Sequence, residues 1–161
     1  MPPAARRLSL HLLPADPEAP ADAVRALFAT LQAEGWLADE RPGPRALVAG
    51  GFMRARLDTF DTVRFVSNWQ GGFHVRCPVD ARDVVGGFGR ALEAWRAGGP
   101  RALGCDCGSV HPLEALVYAP DAGFARGWIT LADIADVRLD PVALARARAV
   151  LGEVRIVLRR G

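Results

Sequence analysis

Three cysteines and a histidine are the side chains of this chain best fitted to do chemistry, and they fall close together. They stand in two short stretches, Cys77-Pro78-Val79-Asp80 and Cys105-Asp106-Cys107-Gly108-Ser109-Val110-His111. Thiolate and imidazole are soft to borderline donors, and four of them in a tetrahedron suit zinc. Two such knuckles, joined by a helix-length spacer, can clip a metal ion between two parts of one domain. The leading ligand set is Cys77, Cys105, Cys107 and His111. A second set exchanges one of these for the carboxylate of Asp80.

Pro78 after the first cysteine and Gly108 after the last favour tight turns whose backbone N–H groups support thiolates. On these residues the segment 77–111 resembles a zinc ribbon, a small metal-stabilised fold with a CPxC knuckle and a CxxCG knuckle. The resemblance implies a structural zinc ion. The chain departs from it twice. Asp80 stands where the ribbon has its second cysteine, and Cys105-Asp106-Cys107 is one residue shorter than CxxC. A reading without metal uses the same residues: Asp80 caps a helix starting near Ala81, Cys77 lies on an apolar strand face, and His111 precedes Pro112 in a loop.

Other chemistries are weaker on these residues. A zinc ion with an open position beside Asp106 or Glu114 would activate water. A Cys107–His111 nucleophile pair and a Cys105–Cys107 redox pair are conceivable, but the second closes a tight ring and lacks the CxxC spacing. Gly86-Gly87-Phe88-Gly89-Arg90-Ala91 does not complete a dinucleotide-binding fingerprint, because Leu92 takes its last position. Arg54, Arg56, Arg64 and Arg76, with His74, would form a surface for an acidic partner or single-stranded nucleic acid if one sheet face carried them all. Trp69, at an expected hairpin tip, is a candidate contact residue. His11 and Ser9 share the polar face of the first strand, where neither needs a role.

The elements that must hold these residues follow from periodicity. Leu8, Leu10 and Leu12 alternate as a strand, and Val24, Leu27, Phe28 and Leu31 recur as the stripe of a helix ended by Gly35. Arg41-Pro42-Gly43-Pro44 breaks the chain. Period-two runs predict strands near 46–49, 52–58, 61–67 and 72–77, with Gly50-Gly51 and Gln70-Gly71-Gly72 as turns. Asp80 and Asp83 open a second helix to about Ala97, with Val84, Val85, Phe88, Leu92 and Trp95 on its buried side. Strands near 114–118 and 126–132 follow. A helix from Asp140-Pro141 to Gly152 and a strand on Val154, Ile156 and Leu158 close the chain. The order predicts one α+β domain with a mostly antiparallel sheet and about three helices, compatible with a ferredoxin-like layout carrying insertions.

Composition excludes more than it assigns. All 20 basic residues are arginine, the mark of a GC-rich coding bias. Without lysine there is no Schiff base to pyridoxal phosphate and no Walker-type phosphate loop. A net charge of +2 argues against a polyanionic partner. The short apolar stretch after Arg7 is neither a signal core nor a membrane span, and three cysteines suit a reducing cytoplasm. The expectation is a small cytosolic binding or accessory protein, clipped by zinc and acting through a protein partner. A small hydrolytic enzyme using carboxylates and zinc, and a nucleic-acid-binding module, are the alternatives.

Overall fold

The computed structural model describes residues 8–37, 47–48, 51–68 and 73–160. The Arg41–Pro44 breaker, Trp69, the Gln70-Gly71-Gly72 turn and both end residues of the strand expected at 46–49 lie outside the described residues. In chain order the elements are β1 (Leu8–Pro14), α1 (Ala21–Ala33), β2 (Arg54–Val66), β3 (His74–Arg76), α2 (Val85–Arg96), β4 (Ala102–Gly104), β5 (Val110–Pro112), a 3-10 turn (Leu113–Ala115), β6 (Val117–Ala119), β7 (Gly123–Ala132), α3 (Pro141–Leu151) and β8 (Val154–Arg160). They form an α+β fold with a mostly antiparallel sheet. The chain groups into two compact units, Met1–Asn68 with Ala122–Gly161, and Trp69–Asp121.

The first unit is a four-stranded sheet in the order β2-β7-β1-β8, every neighbour antiparallel. Its strand–helix–strand–strand–helix–strand sequence with this order is the ferredoxin-like layout, and residues 69–121 are inserted between its second and third strands. Alternation decides the faces. Leu10 and Leu12 of β1 and Ile129 and Leu131 of β7 pack with Val24, Leu27 and Leu31 of α1 and Ala143 and Ala147 of α3, so both helices cover one face. Asp140 starts α3 as expected: its carboxylate accepts from the Val142 and Ala143 backbone N–H groups at 2.8 and 3.3 Å. The opposite face carries a smaller cluster of Leu13, Val66, Ala125, Trp128 and Val157, with Phe60 against it.

The two strands expected at 52–58 and 61–67 are one, β2. Between them β2 advances from Thr59 to Arg64 while β7 moves only from Gly127 to Ala125. Asp58-Thr59-Phe60-Asp61 has no glycine, proline or asparagine to reverse the chain, so the surplus residues bulge out and pairing resumes. Gly127 permits this: a Cβ there would stand 2.9 Å from the Asp58 carbonyl oxygen.

In the second unit β3 pairs with β6 and β4 with β5, each antiparallel. Helix α2 begins at Val85, later than expected, where the Asp83 carboxylate accepts from the Val85 N–H at 2.9 Å. It buries Phe88 and Leu92, and the Phe88 and Tyr118 rings meet edge-on at 5.4 Å. Gly87 lets the helix approach β4, since a Cβ would meet Leu103 Cδ1 at 3.2 Å. Trp95 departs from expectation. It is half-buried, with the Arg101 guanidinium 5.9 Å from its ring centre, and Arg101 in turn pairs with Glu114 at 3.1 Å. Phe88 and Leu92 hold the stripe, whereas Val85 at its start is exposed and Trp95 at its end faces a salt bridge instead of the core.

Candidate metal centre

Each ligand is placed by a short strand and a tight turn. Cys77 directly follows β3, whose buried residue is Val75, so alternation turns both inward. The chain then reverses: the Cys77 carbonyl accepts from Ala81 N–H at 3.0 Å, and the Cys77 N–H donates to the Arg82 carbonyl at 3.0 Å. Inside this turn the Val79 N–H points at the Cys77 sulfur, 3.4 Å away.

The β4–β5 hairpin carries the other three. The Cys105 N–H donates to the Ser109 carbonyl, and the Gly108 N–H donates to the Cys105 carbonyl, both at 3.0 Å. Gly108 adopts φ 93°, a left-handed backbone that suits glycine. His111 pairs with Leu103 across the hairpin and is buried.

The donor atoms of Cys77, Cys105, Cys107 and His111 all lie within 4.8 Å of one another. His111 Nε2 is 3.2 Å from Cys107 Sγ and 3.5 Å from Cys77 Sγ. Metal–sulfur and metal–nitrogen bonds of about 2.3 and 2.0 Å at tetrahedral angles put sulfur and nitrogen roughly 3.6 Å apart. The two sulfur–nitrogen edges are close to that value, and the widest separation in the group, up to 4.8 Å, would have to close for all four donors to bind one ion. All three cysteines are free thiols.

The electrostatics favour thiolate at one ligand and resist it at another. The Ser109 N–H, followed by hydrogen bonds from His111 and the other cysteines, lowers the Cys107 pKa to about 7. Burial pushes the Cys77 thiol up, against the Asp80 and Val79 N–H groups that hold it down. Ionising the buried Cys77 thiol beside an ionised Cys107 is costly without a cation, and a metal ion would supply that cation.

Asp80 is not among the four gathered donors. Its carboxylate lies 2.6 Å from Arg82 Nε and accepts from the Arg82 N–H at 3.2 Å, and the latter, before other causes, lowers its pKa. It shapes the first knuckle. Glu114 is held by Arg101, and Asp106 is exposed with Arg82 at 3.8 Å.

No family model matches this sequence, and no curated protein or solved structure matches it. The zinc-ribbon family is therefore not shown; the gathering of three cysteines and a histidine at metal-binding distance is.

The arginines expected on one face are divided. Arg54 and Arg56 lie on β2 of the four-stranded sheet, Arg64 follows the bulge with its guanidinium 4.3 Å from the Phe60 ring centre, and His74 and Arg76 belong to β3 of the other unit. His11, assigned no role by its alternation, is buried. Its Nδ1 lies 2.9 Å from Thr130 Oγ1, and the Thr130 hydroxyl donates to Asp58 at 3.4 Å. Burial, then the Arg159 charge, lowers the His11 pKa to about 4. Nothing local in the sequence signals this, because the partners lie on two other strands.

Proposed function

We propose that the protein is a small binding or accessory protein whose 69–121 unit is held in shape by a structural zinc ion on Cys77, Cys105, Cys107 and His111. The observation that carries this reading is the convergence of four donors within 4.8 Å. Three sulfurs and one imidazole match the softness of zinc, and four protein ligands complete its tetrahedron. A complete tetrahedron leaves no position for a substrate or an activated water, so the ion acts as a staple. The carboxylates that a hydrolase would use nearby are engaged or turned to solvent: Glu114 is paired with Arg101, and Asp106 is exposed. Free thiols suit a reducing compartment, in keeping with a cytoplasmic protein. No helix among the described residues is long and apolar enough to cross a membrane.

A protein partner is the binding target this reading favours. Val79 on the first knuckle and Val110 on the second are 70 and 71 % exposed. The staple fixes the two turns that carry them, which is how a metal clip presents a small apolar contact surface.

The test is elemental mass spectrometry of the untagged protein, purified without chelator, beside Cys105→Ser and Cys107→Ser. The reading predicts close to one zinc per chain, lost in both variants. Metal-free wild type that is as stable as the variants would refute it.

A further inference from the structure

The sheet face opposite the helices holds a second feature. Cross-strand register places Arg54 opposite Ala132 and Ser9 opposite Arg159. The pairing of Leu10 with Leu131, extended by one residue, sets Ser9 beside Ala132. One row therefore reads Arg54, Ala132, Ser9, Arg159 from edge to edge. The next reads Arg56, Thr130, His11, Val157. Small side chains occupy the middle of the first row, and exposed arginines stand at both of its ends.

The charges are unbalanced. Arg56 pairs with Asp58 at 3.0 Å, whereas neither Arg54 nor Arg159 has a carboxylate partner among the described residues. Both Arg56 and Arg159 lie close enough to act electrostatically on His11, from opposite edges of the sheet. Those edges are three strand spacings apart, about 14 Å, a width that long side chains reaching inward can close around one small anion. Beneath them His11 is 5 % exposed, with Nδ1 held by Thr130 and Nε2 without a hydrogen-bond partner among the described residues. Since the Thr130 hydroxyl donates to Asp58, the imidazole proton sits on Nδ1 and Nε2 is a bare acceptor, so His11 donates nothing to an anion above it and serves as a buried reporter of one.

We propose that this face binds a small phosphomonoester dianion, held by Arg54, Arg56 and Arg159 over Ser9, with His11 beneath. Three guanidiniums set against the single Asp58 carboxylate leave an excess of two positive charges, matching a phosphate dianion. Guanidinium groups also match phosphate oxygens in planar, two-pronged geometry. A single strand of nucleic acid fits less well. It would need exposed aromatic faces for stacking, and Trp128 is 8 % exposed, its ring packed against Phe60 at 4.8 Å.

The test is calorimetric titration of the full chain with inorganic phosphate at constant ionic strength, alongside the His11 imidazole resonances by NMR. The proposal predicts saturable binding that moves the His11 signals. Binding should weaken about tenfold or more in the Arg54→Ala/Arg159→Ala double variant, since each charge-assisted hydrogen bond is substantial. Both arginines are exposed, and an unchanged melting temperature would show that the variant folds. No saturable binding, or equal binding by the variant, would overturn the site. An oligothymidylate that binds more tightly per phosphate than inorganic phosphate would overturn the small-ligand assignment.

Discussion

Cys77 Sγ lies 3.5 Å from His111 Nε2, although 34 residues separate them in the chain. The contact joins the β3 turn to the β4–β5 hairpin, and helix α2 spans the gap between. A thiol and an imidazole gain little from each other in isolation. With Cys105 and Cys107 beside them, one metal ion would serve all four donors.

Removing the metal should loosen the 69–121 unit first. Among its described residues the regular structure is one α-helix, one 3-10 turn and four three-residue strands, too little to bury a large core. Chelation, or Cys107→Ser, is expected to cost about 3 kcal/mol or more, which corresponds to a fall of roughly 10 °C in melting temperature. Amide signals of residues 73–119 should broaden while those of β1, β7 and β8 stay dispersed. Calorimetry and backbone NMR check this.

Asp80→Asn should keep full zinc content. The carboxylate is engaged with Arg82, outside the four-donor group. The metal-to-protein ratio, measured beside Cys105→Ser, decides the matter: loss of zinc in Asp80→Asn would make the carboxylate a ligand after all.

Acid should weaken the sheet through His11. Its folded pKa, about 4, lies below the ordinary value of 6.5, so the unfolded chain binds the extra proton more readily. The stability linked to His11 is fully present above pH 6.5, is lost as pH falls towards 4, and changes no further below that. The loss is about 3 kcal/mol at most. Urea unfolding at pH 7 and pH 4.5 should show a smaller difference for His11→Gln than for the parent protein.

Two neighbouring glycines of α2 should respond differently to alanine. A Cβ at Gly86 meets nothing within 4 Å, whereas one at Gly87 meets Leu103 Cδ1 at 3.2 Å. Gly86→Ala should stabilise the protein by about 0.5–1 kcal/mol through helix propensity. Gly87→Ala should gain less, because Leu103 must shift. Equal gains in chemical denaturation would show that Leu103 gives way freely.

Much of this protein was legible in its sequence because much of it is local. Alternating leucines made β1, the Val24–Leu31 stripe made α1, and Asp140-Pro141 began α3, each through interactions within a few residues. The cysteine, histidine and aspartate spacing likewise marked five candidate donors, since knuckles are local turns. Other features needed the assembled sheet. Whether Asp80 or His111 would join the thiols depended on where β5 and the β3 turn meet, and geometry drew His111 in while Arg82 engaged Asp80. The bulge in β2 depended on Gly127 of another strand. The arginines did not gather as their positions suggested, because two of the segments carrying them belong to different sheets. Arg159 and His11, from opposite ends of the chain, instead became neighbours through β1–β8 pairing. Alternation assigns a residue to a face; only strand order and register decide which distant residues share that face, and these are set by long-range pairing that no local window of sequence contains.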